Sequence, residues 1–234
     1  MPSYSLSKST YIRGLQCLKS LYLNKHRPFL RDRISDEQLA KFARGHAVGK
    51  TAQQLFPGGV EMPAPSEVSA KKTAKLISQG CPVIYEACFI FDGVISAIDI
   101  LVLKEDGWSA YEVKSSGSLS ETYYNDAFLQ NWVMIGSGLQ LEHFYLVHRN
   151  AGKELGSDLP LEELFVFTEI PVHDPARDIR IELSIGEMKF ILSRNHSPAI
   201  APGTWCMHPY PCDFRGFCWK GLSEDQKNKL LYGT

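Results

Sequence analysis

The sequence predicts a mixed α/β domain with helical extensions at both ends of the chain, and three observations lead to that class. Residues 83–91 (VIYEACFIF), 94–103 (VISAIDILVL) and 108–114 (WSAYEVK) are short runs rich in β-branched and aromatic side chains, the composition of strands. Runs with apolar residues at helical spacing flank them on both sides. Of the six cysteines, one lies near the start of the chain and three near its end. With 234 residues and 44% hydrophobic content, the chain can bury a sizeable core, which argues against disorder.

Each element has a local cause. From Ser9 to about His26, Ile12, Leu15, Leu18 and Tyr22 recur at helical spacing, with Cys17 inside the run and Pro28 ending it. Ser35 with Gln38 forms a capping box that opens a second helix, and Pro57-Gly58-Gly59 stops that helix after about Phe56. A third helix spans Ser66 to Gln79, with Gly80 in the C-terminal capping position. Asp92-Gly93 is a tight-hairpin signal between the first two strands, and Glu105-Asp106-Gly107 makes a turn between the second and third. Residues 120 to about 138 read as helix, 142–149 and 162–169 as strands, and 183–194 as helix again. No internal repeat or clear linker interrupts this order. The expected organisation is therefore one domain over 1–234, with an N-terminal helical part (1–60), a sheet core carrying the candidate catalytic residues (81–170) and a cysteine tail (200–222).

The formal net charge of −1 does not by itself mark a nucleic-acid binder, but its distribution is uneven. Residues 1–50 hold ten Lys and Arg against three Asp and Glu, a net of +7 that leaves −8 for the rest. A phosphate backbone is drawn to such a lobe, and Lys8, Arg13 and Arg44 are the candidate nucleic-acid contacts; a solvated helical surface is the alternative reading. No stretch is long and apolar enough for a membrane span, and no apolar leader with a cleavage site opens the chain, so a cytoplasmic protein with no membrane partner is expected. Six cysteines in such a chain point to metal or cluster ligation over disulfides.

Asp99 stands in the apolar run Ile98-Asp99-Ile100-Leu101-Val102, where an unpaired carboxylate is costly to bury. If the turn after Lys104 pairs Leu103 with Trp108, the same register sets Asp99 opposite Glu112. Two carboxylates that close repel unless one is protonated or a cation lies between them. Mg²⁺ takes oxygen ligands from one or two carboxylates, so this register predicts a metal site. Lys114 is two residues beyond Glu112 and shares its face. A plain salt bridge from Asp99 to Lys114 is the alternative.

The segment from Glu86 through Gln130 resembles the core of the RecB-like, PD-(D/E)xK nucleases: an acidic strand residue, Asp99 on the next strand, Glu112-Val113-Lys114 on the third, and Gln130 on the following helix. The resemblance implies a restriction-endonuclease-like core, a mixed sheet in the order helix-strand-strand-strand-helix-strand, with the two ends forming a helical, cysteine-bearing lobe. It also implies that Asp99, Glu112 and the Val113 carbonyl hold Mg²⁺ or Mn²⁺, that Lys114 orients or activates the attacking water, and that Gln130 belongs to the catalytic set. Related enzymes often carry a metal-binding histidine four residues after a glycine on the helix preceding the strands. Counted from Gly45, that place is Gly49, while His46 directly follows Gly45. His46 is thus a candidate ligand or a core histidine, and Glu86 is a candidate to supply the missing oxygen or an outward strand residue. Asp126 and Gln130, one helical turn apart, contact substrate, brace the site or form a surface pair.

Cys206, Cys212 and Cys218 have five residues between neighbours, without a Cys-x-x-Cys pair, and three thiolates need a fourth ligand, for which Cys17 is the natural candidate. One cysteine in an N-terminal helix and three near the C-terminus resemble the iron-sulfur branch of these nucleases, similar to the CRISPR-associated exonucleases. That resemblance implies a structural 4Fe-4S cluster held by Cys17, Cys206, Cys212 and Cys218. The spacing departs from the commonest form, which leaves zinc and an empty site open. Trp205, Tyr210, Phe214, Phe217 and Trp219 interleave with these cysteines and either shield a cluster or stack on bases. Cys81 and Cys88 read as buried thiols. The expected activity is metal-dependent hydrolysis of DNA at ends or single strands. A non-catalytic binding module of the same fold and an iron-sulfur redox sensor are the rival classes.

Overall fold

The computed structural model describes residues 4–153 and 159–232. Among these the chain forms two compact units: the first takes residues 4–8 with 39–179, and the second takes 9–38 with 180–232.

The first unit is built on one mixed sheet. In chain order its elements are β1 (Leu6–Ser7), most of α3 (Asp36–Gln53), β2 (Val60–Glu61), α4 (Glu67–Ser78), β3 (Val83–Phe91), β4 (Val94–Lys104), β5 (Gly107–Lys114), α5 (Glu121–Gly136), β6 (Leu141–Arg149), α6 (Leu161–Leu164) and β7 (Phe165–Ile170). The strands lie in the order β2-β3-β4-β5-β6-β7, and β1 pairs with β4 off this path. The three central strands follow the expected helix-strand-strand-strand-helix-strand order and share antiparallel pairings. The β3–β4 turn has Asp92 at φ 42° and Gly93 at φ 69°, the two positive values that a two-residue hairpin demands and that Asp-Gly tolerates. β5 and β6 are parallel, which requires a crossover, and α5 supplies it. The helix packs on β3, β4 and β6 and buries Ala127, Leu129 and Val133 completely. On the sheet, Ile84, Ile98, Ile100, Leu101, Phe144 and Leu146 are almost wholly buried.

The structure also departs from the expected elements. Residues 161–164 form a turn of helix, so β7 starts at Phe165, where the β-branched and aromatic character begins. The two-residue strands β1 and β2 left no readable alternation. Short as it is, β1 divides one edge of β4: Val94 and Ile95 pair with Leu6 and Ser7, whereas Ile100 to Lys104 pair with β5.

The second unit contains α1 (Lys8–Gln16, its first residue in the sheet unit), α2 (Leu18–His26), the larger part of α7 (Pro175–Ser193) and two short C-terminal helices, α8 (Arg215–Cys218) and α9 (Glu224–Tyr232). The single N-terminal helix expected from Ser9 to His26 is broken at Cys17, whose extended backbone (φ −164°, ψ 114°) separates α1 from α2. Tyr22, Leu23, Ile191 and Phe214 form its apolar centre, with Cys212 and Cys218 packed against it. The two ends of the chain therefore build one lobe, as the fold class anticipates.

Candidate active site

The hairpin β4–β5 runs in the expected register, from Lys104↔Gly107 through Leu103↔Trp108 to Ile100↔Tyr111. It stops one pair short of Asp99 and Glu112. Asp99 takes over the ladder's role with its side chain, as Oδ2 accepts a hydrogen bond from the Val113 N–H at 2.6 Å. β1 pairs with β4 further along, at Val94 and Ile95, and the polar groups gather at the fork between the two pairings.

Glu112, 2% exposed, lies at the centre. Its Oε1 accepts from the Lys114 Nζ at 2.7 Å and from the Lys8 Nζ at 2.8 Å. Lys114 also donates to Asp126 Oδ2, and the Lys8 Nζ lies 3.6 Å from the same oxygen. Glu112 Oε2, Asp126 Oδ1 and both polar ends of the Gln130 amide are buried without a hydrogen-bond partner among the described residues. Those orphaned atoms fit a further polar occupant, since burying them unsatisfied is unfavourable.

The charges here are strongly polarised. Burial alone would raise the Glu112 carboxyl, but Lys114 and Lys8 outweigh it and hold the group at about 2. Asp99 goes the other way: burial first, then the Glu112 charge, lift its carboxyl well above the usual range, with Lys8 opposing. Burial and the Glu112 charge also raise Glu86. Two carboxyls that resist ionising beside a third that is fully ionised form the charge pattern a cation would relieve.

Glu86 adds a backbone feature. On β3, Tyr85 pairs with Ile100 and Ala87 with Ile98, so Glu86 falls level with Asp99, yet it leaves the ladder with φ 55°. A non-glycine residue in the left-handed region is strained by about 1–3 kcal/mol, and such strain gathers at functional sites. No sequence signal announces it, because Glu86 lies inside an ordinary strand run.

The structure thus brings Asp99, Glu112, Lys114 and Glu86 into one electrostatic neighbourhood at the fork, with Gln130 buried on α5 four residues from Asp126. Other candidates lie elsewhere or do something else. His46 is exposed on α3, neither a core histidine nor joined to the carboxylates by any described contact. Lys8, expected on a phosphate-binding surface, is drawn into the fork by the pairing of β1 with β4. Asp126, anticipated to contact substrate, brace the site or form a surface pair, is part of the ion network; its i, i+4 spacing from Gln130 was the available signal. Arg13 is committed to Asp213 (2.7 Å) and Ser20 (3.0 Å), a tie within the second unit that occupies its guanidinium. Arg44 is exposed on α3.

In the second unit, Cys17, Cys206, Cys212 and Cys218 line one cavity together with Ser20 and Phe214. All four are free thiols. The Cys212 N–H donates to the Cys206 carbonyl at 2.8 Å, and the Cys212 thiol reaches Ser20 Oγ at 3.5 Å. Burial raises the Cys17 and Cys218 thiols, and the neighbouring cysteines add to the rise. The four cysteines thus share the lining of one cavity, but among the described residues no three His, Cys, Asp or Glu side chains are grouped so as to hold a metal ion, here or at the carboxylates. Phe214 and Trp219 are buried beside this cavity's residues, while Trp205 and Tyr210 are exposed. Cys88 is buried and Cys81 half-buried, both outside the cavity's lining.

No protein-family model matches the chain, and no curated protein matches it. Solved structures do resemble it. The alkaline exonuclease LHK-Exo from Laribacter hongkongensis is 16% identical, with a TM-score of 0.48 over 80% of this chain and 87% of that one. The same enzyme in complex with dAMP gives 0.47 over the same shares. SSO0001 is 13% identical, with a TM-score of 0.49 over 93% of this chain and 87% of that one. A common activity does not follow from likenesses at that level, so the chemistry of this chain rests on the side chains gathered at the fork between β4 and β5.

Proposed function

We propose that this protein is a divalent-metal-dependent nuclease of the RecB-like, PD-(D/E)xK kind that hydrolyses DNA, acting as an exonuclease on ends or single strands. The observation that carries the proposal is the fork at which Asp99 accepts from the N–H of Val113, the residue after Glu112, with Lys114 bonded to Glu112 and buried oxygens of Glu112 and Asp126 left without partners. Asp99, Glu112 and the Val113 carbonyl are the residues that would hold Mg²⁺ or Mn²⁺, with Glu86 nearby as a further oxygen donor. When bound, such an ion stabilises charge on a phosphoryl oxygen and lowers the pKa of water. Lys114 sits beside Glu112 with its ammonium held charged, so it can orient the attacking water and stabilise the charge that develops on the phosphate. Gln130 contributes a buried amide with both ends free to bond substrate or water. In the other lobe, the four cysteines around one cavity support a structural 4Fe-4S cluster, with zinc as the second candidate for the same thiols.

Labelled single- and double-stranded DNA incubated with purified protein and Mn²⁺ tests the activity. Cleavage is expected for the wild type and to fall by at least about 100-fold in Lys114→Ala, within the range for losing an acid-base or charge-stabilising group. Equal cleavage by the variant would refute the assignment, and binding of DNA without cleavage would favour a non-catalytic module.

A further inference from the structure

We propose that Lys8 is a built-in counter-ion that sets how tightly the fork takes a divalent cation, giving up its place at Glu112 when the cation enters. The inference rests on the reading of Asp99 and Glu112 as a metal site and adds to it a residue that the Glu-x-Lys pattern does not include.

Glu112 Oε1 carries two ammonium groups, Lys114 at 2.7 Å and Lys8 at 2.8 Å, and Lys8 also lies 3.6 Å from Asp126 Oδ2. A doubly charged ion held by Asp99 and Glu112 would enter the field of both ammonium groups. Like charges a few ångströms apart in a partly buried site repel, which favours the withdrawal of one lysine. The surroundings decide which. The Lys114 side chain is 11% exposed and is held by both Glu112 and Asp126, on a central strand paired along its length with β6. The Lys8 side chain is 31% exposed, and it follows a strand of only two residues. An ammonium with a path to water recovers its hydration on leaving, whereas a buried one does not. Lys8, although Asp126, Glu112 and Asp99 all favour its charged form, is therefore the lysine that yields to the metal.

Competition of this kind is a coupling free energy between two cations, and it appears in binding without any turnover. Isothermal titration of Mn²⁺ alone into the full-length, chelator-treated protein measures it; Mn²⁺ prefers oxygen donors, so the cysteine cavity does not interfere. Lys8→Met should bind Mn²⁺ about 5- to 100-fold more tightly than the wild type. Lys8→Arg, which keeps the charge and places less demand on folding, should stay within about threefold of the wild type, below that coupling range. Asp99→Asn should abolish binding in either background. Equal or weaker binding by Lys8→Met, with Asp99→Asn still abolishing it, overturns the role of Lys8 and leaves the metal site intact. If no variant binds Mn²⁺, the metal-site reading fails and the role of Lys8 fails with it. Circular dichroism on each variant confirms that it is folded before titration.

Discussion

Glu112 is the carboxylate to which both lysines of the fork donate. It is 2% exposed and accepts two charge-assisted hydrogen bonds on one oxygen. Removing one partner of a buried ion pair leaves the other charge unpaired, which typically destabilises by about 3–5 kcal/mol. Asp126 still faces both lysines, and Lys8 reaches water, so Glu112→Gln should fall at the low end, about 3 kcal/mol, read as a lower urea midpoint at constant slope. His143 shows a different kind of dependence at the sheet's surface. Its ring bonds Glu169 Oε1 at 2.6 Å and Asp106 Oδ2 at 3.0 Å, and these bonds raise its pKa above 6.5. A raised folded-state value means the stabilisation is complete below the unfolded value and is lost as pH climbs through the folded one. Stability should therefore decline from about pH 6.5 upward, and His143→Gln should flatten that part of the curve in a series of urea melts. An unchanged slope would show that the pairings contribute nothing.

Among the elements, α5 does most to shape the site, since it carries Asp126 and Gln130 and covers three strands. Its close approach depends on Gly136, where an added Cβ would come within 2.2–2.5 Å of the Phe91 ring. That ring is packed edge-on against Trp132, with centroids 4.7 Å apart, and has little room to yield. Gly136→Ala is expected to destabilise by about 1–3 kcal/mol through overpacking, despite the higher helix propensity of alanine. A raised melting temperature would contradict that. α4 depends on its first turn: Ser66 Oγ accepts from the Ser69 N–H at 3.1 Å, so Ser66→Ala should remove about 1 kcal/mol, measured by thermal unfolding.

For the molecule as a whole, the main consequence is that one lobe is assembled from both ends of the chain. Cys17 lies nearly 190 residues before Cys206, yet both line the same cavity. A group bound by all four thiols would close a very long loop, removing many unfolded conformations and stabilising this lobe. On the proposal of a cluster in this cavity, anaerobically purified protein should be brown, and Cys17→Ser should lose both colour and iron while becoming easier to proteolyse within residues 180–232. Colourless protein with one zinc per chain would assign the site to zinc instead.

The amino-acid sequence alone determined the central hairpins, their register as far as Ile100↔Tyr111, the Asp-Gly turn, the capping of α3 and α4, and the shared strand position of Glu112 and Lys114. These features depend on neighbours a few residues apart, where periodicity and backbone sterics act directly. Tertiary structure decided the rest: β1 pairs with β4, Lys8 meets a carboxylate 104 residues away, Glu86 adopts a left-handed backbone, and Arg13 turns to Asp213. Such pairings come from packing over long sequence separations, which leaves no periodic trace in the chain.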